Sequence, residues 1–235
     1  MTLAQVMTDL QTMASPQTKK VFLNHGAKEP LFGVKVGDLK KLVKQIKKNH
    51  ELSLKLFDTG NMDAMYLAAL IADEKQITKK QLQRWAKKAE WYMISEYSVA
   101  WVASESRYGW ELGLDWIEAK EENVASTGWA TLSNFVSITP DDQLDTQKLT
   151  QLLNRVKKQI HTQPNRVRYT MNGFVISTGV HVAELNKKSL EVAEKIGKVS
   201  VDVGGTACKV PLATNYIEKT VNAGRLGRKR KMARC

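Results

Sequence analysis

The chain has 235 residues, 43% hydrophobic and 26% charged, enough to bury a sizeable core. No apolar run approaches the ~18 residues of a membrane span, and the amphipathic start MTLAQVMTDLQTMA lacks the basic region and cleavage site of a signal peptide. Two cysteines without a CxxC pair and four scattered histidines exclude a zinc spacing, so a cytoplasmic protein with no metal and no cofactor is expected.

Helical periodicity then dominates in chain order. In VGDLKKLVKQIKKN, Leu39, Leu42, Val43 and Ile46 form one apolar stripe and lysines cover the other faces. HELSLKLF follows, then NMDAMYLAALIAD, which Asn61 can cap, and KKQLQRWAKKA, which Thr78 can cap. AEWYMISEYSVAW, YGWELGLDWIEAK and NVASTGWATLSNFVSI come next, and DTQKLTQLLNRVKKQI places Leu149, Leu152, Leu153, Val156 and Ile160 on one face. PNRVRYTMNGFVIS opens with proline, where a missing N–H costs nothing, and HVAELNKKSLEVAEKIG ends at Gly197. Only KVSVDVGGTACKVP reads as strand, a short hairpin near 199–210 turning at Gly204 and Gly205. Helix pairs recurring near the ~40-residue period of HEAT repeats predict an all-α solenoid over residues 1–223. The segment 224–235 holds six cations and no acid, and reads as a mobile basic arm.

The net charge of +12 favours a polyanionic partner. From Ala89 to Asp145 there are eleven acidic and two basic residues, a local net of −9, so the remainder carries +21. Five of the six tryptophans lie in that acidic middle, with Trp85 just ahead of it. On an α-helix Tyr92, Glu96 and Val99 point the same way. A carboxylate among aromatic rings is desolvated and could activate water or stabilise positive charge; the competing reading is a solvated glutamate with the rings buried behind it. Arg155, Lys157, Lys158, Arg166 and Arg168, with Arg228, Lys229 and Arg230 of the arm, are the phosphate-binding candidates. There is no P-loop lysine after VGG and no GxSxG elbow, and GRLG lacks the context of a KH clamp.

The stretch VFLNHGAKEPLFGVKVGDLKKLVKQIKKNHELSLKLFDTGNMDAMYLAALIAD, Val21 to Asp73, resembles the N-terminal part of the AlkD-type DNA alkylation repair family. The resemblance rests on GVKVGDLKKLVKQI, on the turn Leu56-Phe57-Asp58-Thr59-Gly60 and on the alanine-rich helix after it, and it extends through NGFVIS. It implies HEAT-like helical repeats, binding of duplex DNA through its backbone by a monomer, and hydrolysis of the N-glycosidic bond of cationic N3- or N7-alkylated purines without cofactor. A cationic leaving group needs no general acid, so a carboxylate beside the sugar supplies the charge stabilisation that matters. By this resemblance Glu96 falls where the family has a catalytic aspartate. Trp91, Tyr92 and Phe174 fall on the lesion-contacting aromatics, and Phe22 stands near an early tyrosine. Gly128, beside Trp129, falls where a DNA-contacting arginine is expected. The alternatives are a DNA- or RNA-binding HEAT-like protein without catalysis, and a protein-binding scaffold.

Overall fold

Side chains that satisfy orphan N–H groups set six of the thirteen α-helix starts among the described residues. Thr2 and Thr78 each close a capping box with a glutamine three residues on, starting α1 (Leu3–Thr12) and α6 (Lys79–Lys88). Ser15 caps α2 (Pro16–Asn24), Asn49 caps α4 (His50–Asp58) and Asn61 caps α5 (Met62–Ile71). Between α2 and α4 lies the amphipathic α3 (Val36–Ile46). The chain continues with a π-helix (Met93–Val99) running into α7 (Ala100–Glu105), then α8 (Gly109–Trp116) and α9 (Glu122–Ile138). It ends with α10 (Thr146–Gln159), which Asp145 caps, α11 (Asn165–His181), α12 (Asn186–Ile196) and α13 (Ala213–Asn222). The structure, a computed structural model, describes residues 1–204 and 206–234; among them there is no strand, and no helix is long and apolar enough to cross a membrane.

The helices form a two-row, solenoid-like stack. α5, the π-helix with α7, α9, α11 and α13 pack each on the next as a first row, with α4, α6, α8, α10 and α12 behind them. The core has two parts joined through α9, which gives Val124 to one and Trp129, Leu132 and Val136 to the other. α8 and α9 touch closely because residue 128 is glycine: a Cβ there would lie 2.6 Å from the Ile117 nitrogen. Position 128 therefore faces the interior, and it offers no site for a DNA-contacting arginine.

Two sequence expectations are corrected. The hairpin does not form among the described residues, although Gly205 lies outside them. The backbone of Asp202 instead pairs with the side chain of Asn165, whose Oδ1 accepts the Asp202 N–H at 2.7 Å and whose Nδ2 donates to the Asp202 carbonyl at 2.8 Å. Nor is the basic arm free: from Gly227 to Arg234 it is a strap across the C-terminal ends of four first-row helices. Gly227 N–H donates to Val180 O of α11 (2.8 Å), and Arg230 N–H to Ser137 O of α9 (2.8 Å). The Lys229 ammonium donates to Val136 O and pairs with Asp141. Ala233 and Arg234 N–H both donate to Glu105 of α7, and the Arg234 guanidinium reaches Glu105, Glu74 and the carbonyls of Ala69 and Ala72 at the end of α5. Arg234 is only 8% exposed. The strap is held because helix C-termini leave carbonyls without partners and favour cations nearby.

Candidate functional site

At the opposite ends of the same helices, the π-helix, α9 and α11 converge. Glu96, one turn into the π-helix, is 5% exposed. Arg166, in the first turn of α11, clamps it in a fork: Nε donates to Oε1 at 2.7 Å and Nη2 donates to Oε2. The Arg166 backbone N–H donates to Glu122 Oε1 at 2.6 Å, tying the starts of α9 and α11 together. The guanidinium carbon also sits 4.4 Å from the ring centroids of both Tyr92 and Tyr169, a cation held against two π faces. The Tyr92 hydroxyl lies 3.2 Å from His25 Nδ1, and the Trp91 indole donates to the His25 carbonyl at 2.9 Å. In front of this stack is a hollow of about 390 Å³, lined by His25, Tyr92, Tyr97, Arg166, Tyr169 and Cys208 among others.

Burial pushes the Glu96 carboxyl up to about 7, against the Arg166 hydrogen bonds and charge, which pull it down. Desolvation pulls the Arg166 guanidinium down, but the hydrogen bonds and charge of Glu96 outweigh it and its pKa rises. Burial raises the phenols of Tyr92, Tyr97 and Tyr169, so they stay neutral and act as stacking faces. A carboxylate stabilises an oxocarbenium ion through uncompensated negative charge. Here Glu96 either keeps its proton or is matched by the one guanidinium that takes both its oxygens, so it presents no uncompensated negative charge.

The sequence candidates divide accordingly. Glu96, Tyr92 and Arg166 are brought together, but Arg166 is the partner of Glu96 rather than a phosphate ligand. Trp91 is 3% exposed, with Phe22 packed on it at 5.2 Å between ring centroids. Trp129 (1%) and Phe174 (0%) meet edge to face in the core. Burial makes Trp129 and Phe174 core residues, whereas Trp91, nearly buried, still edges the hollow. Arg168 is half-buried against Asn165. Lys157 and Lys158 are exposed on α10 in the second row, away from the hollow. Arg228 and Arg230 are exposed and Lys229 half-buried, all on the strap. Sequence reasoning missed His25, Tyr97 and Tyr169; for Tyr169 the signal was there, an arginine and a tyrosine spaced i, i+3 in RVRY. Among the described residues no group of His, Cys, Asp and Glu could hold a metal.

The family model described as DNA alkylation repair enzyme matches residues 6–199. The Listeria monocytogenes protein Lmo0209 is 37% identical over 227 residues, 94% of this chain and 98% of that one. Lin0241 of Listeria innocua is 36% identical with the same coverage, 94% and 98%. A solved structure, described as a new family of proteins related to the HEAT-like repeat DNA glycosylases with affinity for branched DNA structures, superposes with a TM-score of 0.91 at 36% identity, each chain covered in full.

Proposed function

The chain belongs to the DNA alkylation repair enzyme family, and from that premise we propose that it binds DNA by recognising the shape of a branch or distortion, without excising a base. One observation carries this reading: Glu96, which the resemblance sets where the family has a catalytic aspartate, is buried and held in a fork by Arg166. Around it the accessible groups are aromatic and cationic faces, Tyr92, Tyr97, Tyr169 and the edge of Arg166, suited to stacking on an unpaired or splayed base. The affinity of the solved relative for branched DNA supports the same reading. The test measures binding to a four-way junction and to a linear duplex of equal length, beside release of methylated purine from alkylated DNA. Junction binding tighter by about tenfold or more, with no release, is expected. Equal affinity for both, or release of base, overturns it.

A second reading has an observation of its own: the raised Glu96 carboxyl stands directly behind a hollow walled by Arg166 and Tyr92. In it the chain is a monofunctional glycosylase for N3- or N7-alkylated purines, and Arg166 swings away so that Glu96 faces the sugar and orients water. Glu96→Gln would then abolish base release and leave DNA affinity intact. Release unchanged by that substitution removes Glu96 from the chemistry.

A further inference from the structure

The aromatic hollow is a poor place to hold phosphates, because among its lining residues Arg166 is outnumbered by Glu90 and Asp202. Positive charge collects at the other end of the first row, around the strap. A hollow of about 570 Å³ there is lined by Arg225, Arg228, Lys229, Arg230 and Lys231, with His181 and the half-exposed Tyr216, and by no carboxylate. It shares Lys231 and Met232 with a groove of about 840 Å³ whose six cations, including Lys40, Lys44 and Arg107, face two carboxylates, Glu74 and Glu105. Both carboxylates are already taken, by Lys48 and Arg234. Arg225, Arg228, Lys231, Lys40 and Lys44 have no carboxylate partner among the described residues.

The two ends are connected. A polar trough of about 310 Å³ runs between α9 and α11 over Ser133, Asn134, Ser137 and Ser177. It shares Tyr169 with the aromatic hollow, and Tyr216 and Arg230 with the strap hollow. α9 and α11 are 17 residues each, so the aromatic hollow at their starts and the strap at their ends stand roughly 25 Å apart.

We propose that the strap end is a second nucleic-acid site, which grips the phosphodiester backbone of a DNA arm leaving the aromatic hollow along this trough. The inference rests on the DNA-binding reading above and assigns that reading's backbone grip. Phosphate is the ligand chemistry because the free groups are ammonium and guanidinium ends spread along a continuous track rather than gathered in one pocket. Arg234 does not touch the DNA; its burial pins the strap so that Arg225, Arg228 and Lys231 stay side by side.

The experiment replaces those three exposed cations together, Arg225→Gln, Arg228→Gln and Lys231→Gln, and measures junction affinity against salt. Three lost phosphate contacts should lower the slope of log affinity against log salt by about 2 to 3, since each contact contributes about 0.9. An arm shorter than about 7 base pairs, at 3.4 Å per pair, cannot reach the strap, so on a short-armed junction the triple variant and the native protein should bind alike. A control that neutralises Lys187, Lys195 and Lys198, exposed and outside both hollows, the groove and the trough, should keep the native slope on both. A triple variant with native slope on long arms overturns the strap site and leaves the DNA-binding reading standing. Native protein that binds no DNA removes both. Polyglutamate competing with the junction as well as unlabelled junction does would show a surface for any polyanion and overturn the assignment to nucleic acid.

Discussion

The Glu96–Arg166 pair makes a prediction about stability whose sign differs from that of an ordinary salt bridge. In the unfolded chain the Glu96 carboxyl titrates near 4.5, whereas in the folded protein burial holds its proton to about 7. Between those values the folded state binds more protons than the unfolded state, so the contribution of Glu96 to stability falls as pH rises through that window and is flat on either side. At 1.36 kcal/mol per unit the full fall is about 3 kcal/mol. The assay is urea denaturation of the native protein and Glu96→Gln at pH 5, 6, 7 and 8. The difference between the two isolates Glu96, because Asp63, also raised by burial, and His181, lowered by burial, titrate in both proteins. The advantage of glutamate over glutamine should shrink by most of that amount from pH 5 to 7. An advantage that grows with pH would mean that Arg166 wins over burial, and the reasoning from desolvation would be refuted. Arg166→Met completes the comparison. It strands a buried carboxylate, a loss of about 3–5 kcal/mol above pH 7, and a smaller loss at pH 5, where the carboxyl carries its proton.

Three further outcomes follow from the packing. Gly128→Ala places a Cβ 2.6 Å from the Ile117 nitrogen and 2.9 Å from the Trp116 carbonyl carbon, so α8 and α9 must separate; a loss of about 1–3 kcal/mol in urea unfolding is expected, and an unchanged midpoint would show that the helices slide freely. Asp63→Asn weakens the bonds from Phe32, Gly33 and Val34 N–H, at 2.7, 3.0 and 2.8 Å, and should lower stability by about 1.5–3 kcal/mol; a native urea midpoint would show that the loop before α3 does not depend on that carboxylate. In hydrogen exchange the strap amides of Arg230, Ala233 and Arg234 should be protected, and Arg234→Gln should remove the protection at 233 and 234; exchange of all three at the unfolded rate would restore the picture of a mobile arm.

The helices were legible because their signals are local. Asn61 and Thr78 cap as expected, and the stripes of α3 and α10 bury Leu39, Leu42, Leu149, Leu152, Leu153 and Val156. The site was legible only in part, because its decisive contact joins Glu96 to a residue 70 positions later. A periodicity argument can place a glutamate beside tyrosines, but not the guanidinium that neutralises it. The π-helix was also invisible, since its wider turn leaves no composition signal; it sets Tyr97 beside Tyr92, with ring centroids 6.4 Å apart. The strap misled for a different reason. A run of cations without acids reads as solvated, yet its partners are the carbonyl ends of α5, α9 and α11 and two glutamates, Glu105 on α7 and Glu74 in the turn after α5, none of them near it in sequence. KVSVDVGG misled because β-branched residues favour extended backbone whether or not a partner strand exists, and here a side chain takes the partner's place.

The charge asymmetry of the sequence now has a physical reading. Seven of the eleven acids of the middle pair within the protein: Glu90 with Lys28, Glu111 and Asp115 with Lys79, Glu118 with Arg155, Glu96 with Arg166, Glu105 with Arg234 and Asp141 with Lys229. Each pair also neutralises a cation, so the unbalanced positive charge is carried by residues outside those pairs, and many of these stand around the strap. On the proposed reading this separates two tasks along one set of parallel helices. The backbone grip, strong and sensitive to salt, sits at the carbonyl ends, where helix dipoles favour cations. The aromatic end carries little net charge, so a base that reaches it is selected by stacking and fit rather than by attraction. A linear duplex offers phosphates to the strap but no unstacked base to the hollow, whereas a branch offers both. Preference for the branch should therefore survive high salt better than affinity itself.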